Sequence, residues 1–331
     1  GLAQGIVALS YYGNVGVRNE GDVTASSSGG YSQAVALRSG AGYDAVLRNF
    51  GSITAGSGNS LAVSITGGNG VISNYGDISG GMLTDAGDDY VRNYEGGRIF
   101  LTDDTIDLGY GYNYFLNEGR IYADGVNNVI NMGYYGGGEG GYYYGVFVND
   151  GNSIHMNDGA ADDALTIIGD FSGTGDVNVD VDGASLASDT LYIYGNVLAG
   201  TANTINVDLI SLPSAADINA GETITIVEGS GSSAVTDFVL GDVNVAGGAL
   251  FSADYSLVYD GSEFALGFDI TGLTTAGVLL TSASPAIQNL WYGSLGTMYQ
   301  RQGGERQFLK DSGAADVHGA AGAWTRIYGS D

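Results

Sequence analysis

One short phrase constrains this chain more than anything else in it. "LRNFGSI" (47–53) returns as "VRNEGDV" (17–23), "ISNYGDI" (72–78) and "FLNEGRI" (115–121), and in looser form as "VRNYEGGRI" (91–99) and "FVNDGNSI" (147–154). Its asparagines, Asn19, Asn49, Asn74, Asn93, Asn117 and Asn149, are spaced by 30, 25, 19, 24 and 32 residues. A helical repeat would hold its period. A fixed phrase between segments of variable length is what a coil produces when one corner is constrained and its excursions are free. Around the phrase, short runs such as "LAVSITGGNGVISNYGDISGG" alternate apolar and polar residues, the period of a strand with one buried face.

Residue by residue, the phrase reads as a structural corner. The apolar residue ends a strand facing inward. Asn tolerates left-handed backbone and bonds its own main chain. Gly supplies a positive φ. The following Val23, Ile53, Ile78, Ile99 or Ile121 re-enters the core. Stacked coils would set each Asn above the last in an amide ladder. The expected fold is all-β: a parallel β-helix (β-solenoid) rod with a β-hairpin cap near its carboxy end and one short linker helix. Some eight to ten rungs between residues 10 and 210, at about 4.8 Å each, would make a rod roughly 40–50 Å long. A sandwich of ordinary hairpins is the alternative, but it has no reason to reuse one corner phrase.

Composition supports strands and narrows the partners. The chain has 331 residues, 58 of them Gly and only 2 Pro, with 44% hydrophobic residues, too apolar for a disordered tail and suited to strands punctuated by turns. No run of 18 apolar residues suggests a membrane-spanning helix. The chain opens on "GLAQGIVALS" without Met, which reads as a mature fragment and as a strand cut from a longer stack. The formal charge is −27, and no Lys or Arg occurs between Arg120 and Arg301. Nucleic-acid binding needs clustered cations, so nucleic acid is excluded as a partner. Cys is absent, which removes disulfides, thiol catalysis and Cys-ligated zinc.

Signals for chemistry are thin. His155 and His318 are the two histidines, and no nucleophile motif of the Gly-x-Ser-x-Gly type accompanies them. His155 reads as a solvated strand residue. The pairs Asp88/Asp89, Asp103/Asp104 and Asp162/Asp163 could serve a glycosidase, yet neighbours on a strand face opposite ways, so each reads as turn decoration. The segments "DGAADDALTIIGDF" (158–171) and "DGASLASDTLYIYGN" (182–196) repeat one another without the Gly-Gly-x-Gly-x-Asp pattern of calcium-binding nonapeptides. No cofactor is expected; acidic turns at 85–90 and 102–109 leave weak surface calcium as an option. "YYGGGEGGYYYG" (134–145) cannot fill a solenoid core and reads as a projecting insertion. Its Tyr134, Tyr135, Tyr142, Tyr143 and Tyr144 are a candidate contact patch, since exposed tyrosines offer rigid amphipathic area.

After residue 200 the texture changes to longer alternating runs. "SPAIQNLWYGSLGTMYQRQGGERQ" (284–307) follows, with Ser284 as N-cap, Pro285 at the first helical position, and Ile287, Leu290, Trp291, Leu295, Met298 and Tyr299 at helical steps. "GAWTRIYGSD" (322–331) then alternates like the start of a strand. This order resembles the carboxy-terminal part of autotransporter passengers, secreted through an outer-membrane barrel of the same precursor. The resemblance divides the chain into solenoid coils (1–199), an autochaperone-like β cap (200–272), and a linker helix with the first barrel strand (273–331). It implies export across the outer membrane to the cell surface, with the barrel domain as an intramolecular partner. Self-releasing members of that family carry paired asparagines in the linker; here Asn289 stands alone, which implies a passenger held at the surface.

The expected function is therefore a non-enzymatic cell-surface passenger, a rod-like adhesin or spacer. Its partners would be a host or neighbouring cell surface, a polysaccharide, or a further copy of itself. The alternatives are a self-assembling extracellular filament or surface-layer subunit stacking through open solenoid ends, and a polysaccharide lyase or glycosidase.

Overall fold

A computed structural model of the chain describes residues 3–27, 30–56, 60–135, 143–151, 153–200, 202–245, 251–275, 278–279, 282–283, 285 and 287–292. The chain divides into two compact units, Gly1–Gly272 and Leu273–Asp331.

The first unit is a parallel β-solenoid whose strands form an 11-stranded, a 7-stranded and a 10-stranded sheet. Successive strands of the chain go to successive sheets, so these are three faces of one coil. The fifth coil is typical, with Thr105–Asp107 on the first face, Tyr114–Asn117 on the second and Arg120–Asp124 on the third. Of the 11 strands of the first face, nine belong to successive coils, and two, Phe251–Tyr259 and Glu263–Leu273, close its end. Nine coils are separated by eight spacings of about 4.8 Å, giving a stack about 38 Å long. Parallel pairing runs on across residue 200: Asp176–Asp182 pairs with Asn203–Ser211, which pairs with Phe238–Val245. Antiparallel pairing enters the first face only where Ile224–Gly229 meets Glu263–Leu273.

Each face contributes a long in-register column to the core. Val35, Val63, Met82, Ile106, Ile130, Ile167 and Ile193 stack on the first face. Leu47, Ile72, Val91, Phe115, Phe147 and Phe171 stack on the second. Ile53, Ile78, Ile99, Ile121, Ile154, Val177 and Ile205 stack on the third. None of these is more than 1% exposed. The phenylalanine column continues through Phe238 and Phe264, with ring centroids 4.9 to 5.8 Å apart between Phe115 and Phe264. Alternation buries a column of this kind on each face, and the branched or aromatic residues fill a pleated surface well.

The corner works differently from the sequence-based expectation. Each phrase Asn is the last residue of its strand. Among the described non-glycine residues only Asp103 and Leu186 have positive φ, so no phrase Asn is left-handed. The expected positive φ is found at Gly96 (90°) and Gly151 (78°) of the looser copies, but not at Gly51, Gly76 and Gly119. These three are needed for contact between coils. A Cβ on Gly51 would lie 2.1 Å from the Gly21 carbonyl oxygen, one on Gly76 2.1 Å from that of Gly51, and one on Gly119 2.3 Å from that of Gly97. Backbone cannot move aside as a side chain can. Glycine is therefore demanded by stacking.

Two features interrupt the coils. A helix, Ala215–Ala220, lies between Asn203–Ser211 and Ile224–Gly229; Ser214 and Asp217 form its capping box and Gly221 its left-handed end (φ 75°). "PSAADINAG" (213–221) carries those signals inside otherwise alternating runs. In the sixth coil, Tyr134–Tyr135 pairs antiparallel with Tyr143–Tyr144 as a two-stranded sheet separate from the three faces.

In the second unit, helical backbone is already present at Thr275, Val278 and Leu279, with the Val278 amide donating to the Thr274 carbonyl at 2.9 Å. Ser282 and Ala283 are helical ahead of Pro285, a correction to the expected helix beginning at Ser284, which itself lies outside the described residues. Ile287, Leu290 and Trp291 are helical and exposed. Leu295, Met298, Tyr299, His318 and the 322–331 segment lie outside the described residues. Among those described, no helix is long and apolar enough to cross a membrane.

Candidate functional site

The six phrase asparagines are paired in register, Asn19 with Asn49, Asn49 with Asn74, Asn74 with Asn93, Asn93 with Asn117 and Asn117 with Asn149. Each side-chain amide donates to the Oδ1 of the next, at 2.8, 2.9, 2.8, 2.8 and 3.0 Å along the series. The first three also donate to the carbonyl two residues on, at Gly21, Gly51 and Gly76. All six are at most 5% exposed, so the ladder is structural and touches no partner. One member escaped the sequence. Gly173 takes the corner position opposite Asn149, and Asn203 from the following coil donates to the Gly173 carbonyl at 3.0 Å while accepting from Asn149. Asn203 lacks a glycine two positions on, which hid it from the phrase.

The outward side chains ladder as well. Phe50, Tyr75 and Tyr94, each the residue after a phrase Asn, stack with centroids 4.7 and 4.0 Å apart. Arg18 lies over Phe50 and Arg92 over Tyr94, at 4.3 and 4.2 Å. Arg92 also makes two 2.7 Å bonds to Glu118, and Arg98 two to Asp77.

An outward column of the third face changes character along its length. In register it runs Thr24, Thr54, Ser79, Phe100, Tyr122, His155, Asn178, Asn206. Phe100, Tyr122 and His155 stack with centroids 4.9 and 4.8 Å apart and planes within 12°. Beside them lies a groove of about 390 Å³, lined also by Thr102, Asp124, Met156, Asn157, Asp158 and Asp163. A second groove of about 450 Å³ follows around Asn157, Asp180, Asp208 and Asn244.

His155 is not the freely solvated residue expected. It is half-buried, with Nε2 2.5 Å from the Ser153 hydroxyl and Nδ1 3.3 Å from Asn157 Oδ1, while the Asn157 amide donates to Asp208. Burial lowers its pKa, opposed by the Asn157 bond, so the ring is neutral near pH 7. A neutral imidazole beside a hydroxyl is the raw material of a nucleophile pair. Here, however, Ser153 is only 9% exposed, which keeps its oxygen from a substrate carbonyl, and the contact orients the ring in its stack.

The acidic pairs do face opposite ways, but their second members are not decoration. Asp88 and Asp162 are exposed, whereas Asp89 and Asp163 are 2% and 4% exposed. Asp89 accepts from the Gly70 amide and the Thr84 hydroxyl. Asp163 accepts from the Gly125 amide, and its own amide donates to Asp189, whose other oxygen accepts from the Asp180 amide. Desolvation raises the pKa of Asp89 and Asp163 to about 6 and that of Asp189 to about 7, despite hydrogen bonds that favour the anion. In the acidic turns, Asp85, Asp88 and Asp103 are already used as acceptors by the Gly67, Tyr112 and Asn127 amides. Tyr134, Tyr135, Tyr143 and Tyr144 are brought together by backbone pairing in the hairpin of the sixth coil; Tyr142 lies outside the described residues.

Comparison with known protein families finds no match to this chain, and comparison with curated proteins finds no significant relative.

Proposed function

We propose that the chain is a non-enzymatic rod of the autotransporter-passenger kind, displayed outside the outer membrane, which holds an attachment surface at a fixed height. The observation that carries this reading is the aromatic stretch of the third face. Coils on either side manage with Thr24, Thr54, Ser79, Asn178 and Asn206 at the same position, so coil formation does not require Phe100, Tyr122 and His155. Tyr122 is covered on both faces, and Phe100 and His155 each turn one face to it. What they offer outward is ring edges beside the carboxylates and amides of two grooves, an amphipathic surface suited to a polyhydroxylated partner. A formal charge of −27 directs that partner away from strongly anionic polymers. Ser153 is only 9% exposed, which argues against hydrolysis at His155.

The test is attachment of the purified chain to intact cells and neutral polysaccharides, compared with two deletions that each remove one coil and rejoin the phrase. Deleting 50–74 shortens the rod by about 5 Å and should leave attachment intact. Deleting 94–117 removes Phe100 and should abolish it. Absence of attachment by the unaltered chain, equal attachment by both deletions, or release of reducing sugars would overturn the proposal. Continuous fibres in negative stain would replace it with self-assembly.

A further inference from the structure

At the edge where the third face turns toward the first, two successive turns bring carboxylates together. Asp124 ends the strand Arg120–Asp124, Asp158 follows the strand Ser153–His155, and Asp163 directly precedes Ala164–Ile168. One oxygen of each lies within 4.8 Å of the other two. Asp124 and Asp158 are exposed, but Asp163 is only 4% exposed. Its Oδ1 accepts from the Gly125 amide at 2.6 Å, and its Oδ2 is buried with no hydrogen-bond partner. A buried carboxylate oxygen without a donor is costly, and costlier with two further acids beside it. Burial, and then the charges of Asp158, Asp124 and Asp162, raise the Asp163 pKa to about 6. No Lys or Arg from 121 to 300 exists to relieve them.

We propose that Asp124, Asp158 and Asp163 bind a calcium ion, which fastens the 156–163 turn of the sixth coil to the Asp124–Gly125 corner of the fifth. All three donors are carboxylate oxygens, the set a hard cation prefers. All three line the 390 Å³ groove, where water can complete the six to eight oxygens that calcium takes. The deep oxygen of Asp163 is the feature that solvated turn carboxylates lack. Expectation from sequence placed weak calcium at 85–90 and 102–109, where, among the described residues, no buried carboxylate oxygen is left without a partner. The site shares its groove with the proposed attachment surface, but calcium binding does not rest on that reading.

Isothermal titration of calcium into the chelator-treated full chain tests it. One saturable site is expected, with Kd on the order of 10⁻⁴ M, as in extracellular calcium modules. At 10 mM calcium, about a hundredfold above that Kd, the folded-to-unfolded ratio should rise about a hundredfold, read as an upward shift of the melting temperature. Asp163→Asn should abolish both effects, as should Asp124→Asn with Asp158→Asn, whose exposed positions keep the fold intact. Glu95→Gln, on an exposed turn elsewhere, should change neither. The proposal is overturned if calcium fails to saturate, if binding survives both sets of variants, or if magnesium at equal concentration gives the same shift, which would mark general screening of an acidic surface.

Discussion

At the scale of single residues, the same letter does different work in different coils. Gly51 and Gly21 both occupy the glycine of the corner phrase, yet a Cβ on Gly51 meets a carbonyl oxygen at 2.1 Å while one on Gly21, in the first coil, meets nothing within 4 Å. Gly51→Ala should therefore destabilise the solenoid by about 1–3 kcal/mol, and Gly21→Ala should stay within about 0.5 kcal/mol of the parent. Urea denaturation of the two variants checks this; equal losses would return the glycine to a purely conformational role. The asparagine follows similar logic. Its amide serves the next coil and its own corner at once, so the residue type is dictated by its having one acceptor and two donors. That requirement was readable from the phrase. The extended backbone of Asn was not, because left-handed tolerance is only a propensity, and the parallel ladder overrides it.

At the scale of the turn elements, charge is buried where the loops run from one face to the next. Asp89, Asp163 and Asp189 have pKa values raised from 3.8 to about 6, 6 and 7, with desolvation the leading cause in each. The folded state thus binds protons more tightly than the unfolded chain. The stabilisation is fully present below pH 3.8, the unfolded value, and is lost as pH rises through about 6 to 7. In the absence of divalent ions, the melting temperature should be higher at pH 5 than at pH 8, the reverse of ordinary acid sensitivity. Asp189→Asn should flatten that slope. A melting temperature that rises from pH 5 to pH 8 would contradict the direction. In sequence Asp89 and Asp163 read as turn decoration beside Asp88 and Asp162, since alternation tells that neighbours face apart and does not tell which side is covered.

At the scale of the whole molecule, opposite charges scarcely meet. The described residues contain three ion pairs, Arg18–Glu20, Arg92–Glu118 and Arg98–Asp77, against a formal charge of −27 for the chain. Screening should therefore relieve more repulsion than attraction. The melting temperature should rise between about 10 mM and 500 mM sodium chloride, where the screening length falls from roughly 30 Å to a few Å; a fall would mean that the pairs dominate. The coil itself was written in the sequence. An invariant corner phrase, strand-period alternation and branched residues at fixed offsets leave a chain no better way to bury its apolar side than to stack one turn on the next. Local pattern could carry that much because each coil repeats the same local problem. Which residues share an edge could not be read there: Asp124, Asp158 and Asp163 lie 34 and 5 positions apart, and Phe100, Tyr122 and His155 are 22 and 33 apart. Excursions of unequal length destroy any fixed spacing between such partners, so only the register of the finished stack decides which side chains meet.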